Sequence, residues 1–152
     1  MDYSRMFAIS GAGMAAERTR VEVAAANLAN ANTVAGADGA LFQPQRVQTY
    51  AVPLAAANGF ALQVDRALDQ GEAPAVFVPE AVVQGSGAAP RMQYEPGHPL
   101  ADAAGFVARP GVDTATEMVT IMSAMRSYEA NVAAANAARA LALKALEIGG
   151  GA

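Results

Sequence analysis

The sequence predicts a mainly α-helical chain in which a small β-rich insertion is carried between two long terminal helices that pair as a coiled coil. Three observations predict it. The stretch from Thr114 to Ile148 runs for about 35 residues without Gly or Pro and repeats apolar residues at alternating three- and four-residue steps. Near the N-terminus Phe7, Met14, Val21 and Leu28 recur at intervals of seven. Between these stretches the helical period disappears and Gly and Pro become frequent. The chain therefore divides into an N-terminal helix segment (1–33), a β-rich segment (34–112) and a C-terminal helix segment (113–149).

The N-terminal helix is expected from residue 3 to about residue 30, with Met6, Ile9 and Val23 broadening the seven-residue stripe. Gly11 and Gly13 each weaken it by roughly 1 kcal/mol relative to Ala, but small residues also let a neighbouring backbone come close. It runs out in the Asn-rich stretch from Asn27 to Thr33, where Asn side chains compete for backbone hydrogen bonds.

Four strands are expected in the middle segment. Gln43 to Val52 is β-like, a strand broken by Pro44 and Pro53. Ala75 to Val83 gives the best strand signal, with Pro79 pointing to an edge or a bend. Arg91 to Tyr94 and Phe106 to Ala108 flank a Pro-Gly-His-Pro turn at 96 to 99. Leu54 to Glu72, with Leu62, Val64 and Leu68, fits either a loop or a short helix.

The C-terminal helix opens with Thr114-x-x-Glu117, the pattern of a capping box in which each side chain satisfies the other residue's backbone N–H. From Met118 the alternating steps reach Ile121, Met125, Tyr128, Val132, Ala135, Arg139, Ala142 and Leu146, all apolar except Arg139. Such a seam needs a partner helix. The expected partners are Phe7, Met14, Val21 and Leu28, in the same chain or in a neighbour, and each buried side chain contributes roughly 1.5–3 kcal/mol. Nine alanines between Ala130 and Ala145 fill a core poorly but permit close approach by several neighbours. Met118, Met122 and Met125 share one helical spacing, as on adaptable binding surfaces and also in ordinary cores.

Composition narrows the function. Hydrophobic residues make up 53% of the chain, but Ala dominates them; aromatics are 6% and Trp is absent, which argues against a thick enzyme core. A net charge of −4 disfavours nucleic acid as a partner. Without cysteine there are no disulfides or thiolate metal sites. The N-terminus lacks the basic region and apolar run of a cleavable signal peptide, and no window approaches a membrane span. No phosphate loop, nucleophile elbow or dinucleotide fingerprint is present, so no cofactor and no small-molecule substrate are expected. The single His98 lies between Gly97 and Pro99, with Glu95 and Asp102 nearby. A turn residue beside solvated carboxylates is the simpler reading than a metal ligand or an acid–base pair.

At this point the residues resemble a known family. The run Ala26-Asn27-Leu28-Ala29-Asn30-Ala31-Asn32-Thr33 is similar to the Ser-Asn-Leu-Ala-Asn-x-x-Thr signature of bacterial flagellar rod and hook proteins. An ordered set then resembles the proximal rod members of that axial family: Tyr94-Glu95-Pro96-Gly97-His98-Pro99, Gly105-Phe106-Val107, Glu117-Met118-Val119, Arg126-Ser127-Tyr128-Glu129-Ala130-Asn131 and Ala145-Leu146-Glu147-Ile148-Gly149. Asn27, Leu28, Asn30, Thr33, Glu129 and Asn131 are the motif residues carried over. Ala26 stands where the family usually has Ser, and Gly111 where an Asn commonly precedes the last helix.

The resemblance implies a non-enzymatic subunit of the periplasm-spanning rod of the flagellar basal body. It would be made in the cytoplasm, exported by the flagellar type III apparatus without a cleaved signal, and would transmit torque from the motor towards the hook. In such proteins the terminal helices pair and line the inner tube of a helical assembly, with the middle segment outside. The implied partners are copies of the chain, proximal and distal rod subunits, the rod-base adaptor to the inner membrane ring, and the export machinery. A filament or needle-type subunit of a related type III secretion system shares the terminal packing, but its usual small size and lack of a β-rich insertion argue against it.

Overall fold

A computed structural model of the chain describes residues 3–35, 39–54 and 76–149. Among these residues there are two long helices with two small two-stranded antiparallel ribbons between them. Helix α1 spans Tyr3–Asn30 (28 residues), β1 Gln45–Pro53, β2 Phe77–Gly85, β3 Arg91–Tyr94, β4 Phe106–Arg109, and α2 Thr114–Gly149 (36 residues). The expected Leu54 to Glu72 stretch, with Leu62, Val64 and Leu68, lies almost entirely outside the described residues. No helix among the described residues is long and apolar enough to cross a membrane.

Helix α1 ends where its own asparagine and threonine side chains take over the last carbonyls. Asn30 Nδ2 donates to Ala26 O at 2.8 Å, and the Thr33 hydroxyl and amide both donate to Asn30 O, at 2.8 and 3.1 Å. The Asn30 carbonyl, which the helix leaves without an intrahelical donor, is thus satisfied.

Among the described residues, strands β1 and β2 pair only with each other. Pro44 O accepts from Ser86 N at one end, and Leu54 N donates to Val76 O at the other, so the two strands run antiparallel. Within this sheet β2 pairs on one side only, and an edge strand is where a proline such as Pro79 is tolerated. Strands β3 and β4 pair antiparallel with Arg91 opposite Arg109 and Tyr94 opposite Phe106. The Tyr94 and Phe106 rings meet edge to face, 5.3 Å between centroids. Gly105 holds a φ of +83°, and a Cβ there would come within 3.0 Å of the Tyr94 ring; no side chain suits that corner.

Helix α2 is started by Asp113, not by the expected Thr114–Glu117 box. Asp113 Oδ1 accepts from Ala115 N at 3.0 Å and lies 3.5 Å from Thr116 N, while Oδ2 accepts from the Thr116 hydroxyl at 2.9 Å. Asp is as good a cap as Thr, and one residue earlier it reaches both N–H groups of the first turn. Glu117 is released for another role.

The chain gathers into two compact units. One comprises Met1–Arg18, Thr49–Val82 and Arg126–Ala152; the other comprises Thr19–Gln48 and Val83–Met125. The buried residues of the first include Ser10, Ala16, Val78 and Ala138, and those of the second Ala24, Asn27, Ala31, Val107, Val112 and Ala124. Small side chains thus form most of the interior, which brings backbones close but removes little apolar area from water.

Candidate assembly surface

In the unit comprising 19–48 and 83–125, the centre is a single amide. Asn27 is only 1% exposed. Its Nδ2 donates to Gln45 O at 2.7 Å and to Glu117 Oε1 at 3.0 Å, and its Oδ1 accepts from Gln45 N at 2.9 Å. The end of α1, the start of β1 and the first turn of α2 therefore meet on one side chain. Nearby, Arg109 Nη1 donates to Asn32 O at 3.2 Å, while Nη2 reaches Glu95 Oε1 at 2.9 Å. Asn32 follows α1 and Arg109 precedes α2, so with the Asn27–Glu117 bond these contacts show the two segments running antiparallel in this unit.

Beside the amide lies an open groove of about 310 Å³, walled by Arg20, Gln45, Arg46, Ser86, Gly111 and Glu117 among others. Gly111 is needed there: a Cβ at this position would fall on the Ala89 carbonyl oxygen and 3.2 Å from Ala88 Cβ. The Asp113 carboxyl is held below its usual range, first by the Thr116 hydroxyl, then by the Thr116 and Ala115 amides.

In the other unit, α1 and α2 touch through small residues. A Cβ on Gly13 would stand 2.8 Å from Asn131 Oδ1, and Asn131 Nδ2 also donates to Ser127 O at 3.0 Å. Gly11, two residues earlier, has nothing within 4 Å of such a Cβ.

The residues expected to form the seam lie to the sides of these contacts. Met14, Val21, Leu28, Ile121 and Val132 are half-buried, whereas Phe7, Met118, Met125, Tyr128 and Leu146 are exposed, Met118 and Met125 each by 52% and Leu146 by 72%. The positions the chain buries on itself are Ser10, Gly13, Ala16, Ala24, Asn27 and Ala31 on α1 or just past its end, and Ala124 and Ala138 on α2. Met118, Met122 and Met125 form one apolar stripe on α2, with Val119 beside it, all more than half exposed. Of the motif residues, Asn27 is the buried clamp, Asn30 and Thr33 terminate α1, Asn131 meets Gly13, and Glu129 is exposed. The Asn27 partners escaped sequence reading because they lie 18 and 90 residues away.

His98 is a turn residue, its Nδ1 accepting from Leu100 N at 3.1 Å. Glu95 is engaged by Arg109, and Asp102 Oδ1 accepts from Ala104 N and Phe106 N at 2.9 and 2.8 Å. These carboxylates shape the turn between β3 and β4. No group of three His, Cys, Asp or Glu side chains suited to a metal ion occurs among the described residues.

Comparison with known proteins follows the same two regions. Residues 7–37 match the family model described as flagella basal body rod protein, and residues 103–148 the one described as flagellar basal body rod FlgEFG protein C-terminal. The flagellar basal-body rod protein FlgC of Salmonella typhimurium is 42% identical over 144 residues, covering 95% of this chain and 96% of the relative. That of Escherichia coli O6:H1 is 41% identical over 146 residues, covering 95% and 96%. That of Yersinia enterocolitica is 38% identical over 149 residues, covering 98% and 99%.

Proposed function

This chain belongs to the FlgC family of flagellar basal-body rod proteins, and from that premise we propose that it builds the proximal part of the rod by packing its terminal helices against neighbouring subunits. It is a structural subunit of the basal-body rod and assembles with other rod components. The finer reading concerns its place and route. It is exported by the flagellar type III apparatus without a cleaved signal, joins copies of itself and the proximal and distal rod subunits, meets the rod-base adaptor at the inner membrane ring, and carries torque towards the hook.

The observation that carries this reading is the division of labour on α2. Its buried positions, Ala124 and Ala138, are among the smallest side chains, while Met118, Met122 and Met125 are each more than half exposed. Apolar side chains of that size, about half in water along one helical stripe, gain roughly 1 kcal/mol each when a neighbour covers the exposed half. The seam of Phe7, Met14, Val21 and Leu28 with Met118, Ile121, Met125, Tyr128, Val132 and Leu146 then forms between subunits rather than inside one.

Deleting the chain in its source bacterium and examining isolated basal bodies tests the placement. Basal bodies that stop at the inner membrane ring are expected. Deletion mutants that still carry a complete rod would refute the proximal position.

A further inference from the structure

Resting on the rod-subunit reading, we propose that Asn27 and Glu117 form a positioning pair that fixes where the chain enters β1: Glu117 aims the Asn27 amide, and the amide grips the Gln45 peptide. A primary amide carries two N–H donors on one side and an acceptor oxygen on the other. Here both donors are spent on acceptors, Gln45 O at 2.7 Å and Glu117 Oε1 at 3.0 Å, and the oxygen takes Gln45 N at 2.9 Å. Turning the amide over would set its oxygen against two oxygens and its N–H groups against an N–H. Gln45 alone constrains the amide through one donor and one acceptor; the carboxylate of Glu117 adds a charged acceptor that only the observed orientation satisfies.

Burial makes the arrangement binding. With 1% of Asn27 exposed, water cannot stand in for a lost partner. The gripped peptide also lies at a junction. Pro44, immediately before it, is buried, has no N–H to offer, and gives its carbonyl to Ser86 N of the opposing strand's end at 2.8 Å. The first peptides of β1 are therefore fixed by β2 through Pro44 and by α1 through Asn27, and the second of these attachments depends on a residue of α2. Gln45 and Glu117 also stand in the wall of the same groove, so the clamp sets how far apart those parts of the wall lie.

Charge exchange across the pair tests this in a strain deleted for the chain and supplied with variants. Asn27→Asp removes both donors and faces the Gln45 carbonyl and the Glu117 carboxylate with a like charge, so swarming is lost. Glu117→Lys opposes an ammonium to the amide N–H groups, and swarming is lost. The double variant regains part of the swarming, because the ammonium now meets a carboxylate whose other oxygen still accepts from Gln45 N, while the Gln45 carbonyl still lacks its amide donor. Glu117→Gln swarms like the parent, its side-chain carbonyl keeping the acceptor. Asn30→Asp combined with Glu117→Lys is not rescued, because Asn30 bonds Ala26 O instead.

A double variant no better than the worse single variant overturns the pair, as does an Asn27→Asp chain that swarms normally. The urea midpoint of the purified full chain is read for the same variants and must show the same loss and recovery. That measurement decides the pair even if deletion leaves swarming intact, an outcome that would count against the rod reading alone.

Discussion

Two glycines on α1, two residues apart, are expected to answer the same substitution in opposite ways. At Gly11 a Cβ meets nothing within 4 Å, so Gly11→Ala gains only the helix propensity difference, about 1 kcal/mol, equivalent to roughly a fivefold shift towards the folded helix. At Gly13 the same methyl stands 2.8 Å from Asn131 Oδ1 and 2.9 Å from its Cγ and Nδ2, far inside ordinary contact. Asn131 is not free to swing aside without giving up its bond to Ser127 O, a loss of about 1 kcal/mol, and overpacking adds about 1–3 kcal/mol. Against the same propensity gain, Gly13→Ala should be net destabilising by about 1–3 kcal/mol. Urea unfolding of the full chain, followed by far-ultraviolet circular dichroism, compares the two directly. Adding Asn131→Ala to Gly13→Ala should recover the lost stability, since the two sites couple through one overlap. A Gly13→Ala chain as stable as Gly11→Ala would refute the close approach of the helices at this position.

Gly111→Ala should destabilise the chain by about 1–3 kcal/mol in the same unfolding assay, because the methyl lands on the Ala89 backbone carbonyl and α-helical propensity offers no compensation outside a helix. For Asp113, the folded carboxyl titrates below its unfolded value, chiefly through the Thr116 hydroxyl. Its contribution is therefore fully present above the unfolded value near 3.8 and fades as pH falls through the lower, folded value. Asp113→Asn should flatten that part of the stability profile measured by denaturation from neutral to acid pH. Met118→Glu with Met125→Glu should leave the chain's own unfolding midpoint nearly unchanged, since both side chains are 52% exposed, yet abolish swarming. Normal swarming would show that this stripe stays in water.

Much of the architecture can be read from the residues because the signals are local. Seven-residue apolar repeats define both helices, the second also by its lack of Gly and Pro up to Ile148, and proline, glycine and β-branched residues bracket β1, β2, β3 and β4 within a few positions of where they lie. The start of α2 was legible only to within one residue: Asp113 and Thr114 are both capping types, and the Thr-x-x-Glu pattern favoured the second. Glu117 could not reveal its partner because that partner is 90 residues away. Seven-residue spacing gives a period but not the face that is buried. Large side chains such as Met118 and Met125 attract attention, while Ala24, Ala124 and Ala138 fill the buried positions almost without exposure. In a chain so rich in alanine, side-chain size is a poor guide to depth.

In the unit that holds Asn27, the buried positions of the two helices are Ala24 and Ala124, and methyl groups by themselves set little register between helices. Asn27 supplies the detent. Its bond to Glu117 is available at one station only, and a slip of α2 past α1 leaves one amide N–H dry and without an acceptor. A shaft component loaded in shear would thus owe its resistance to creep less to its greasy side chains than to one carboxamide wedged where no lubricant water can reach.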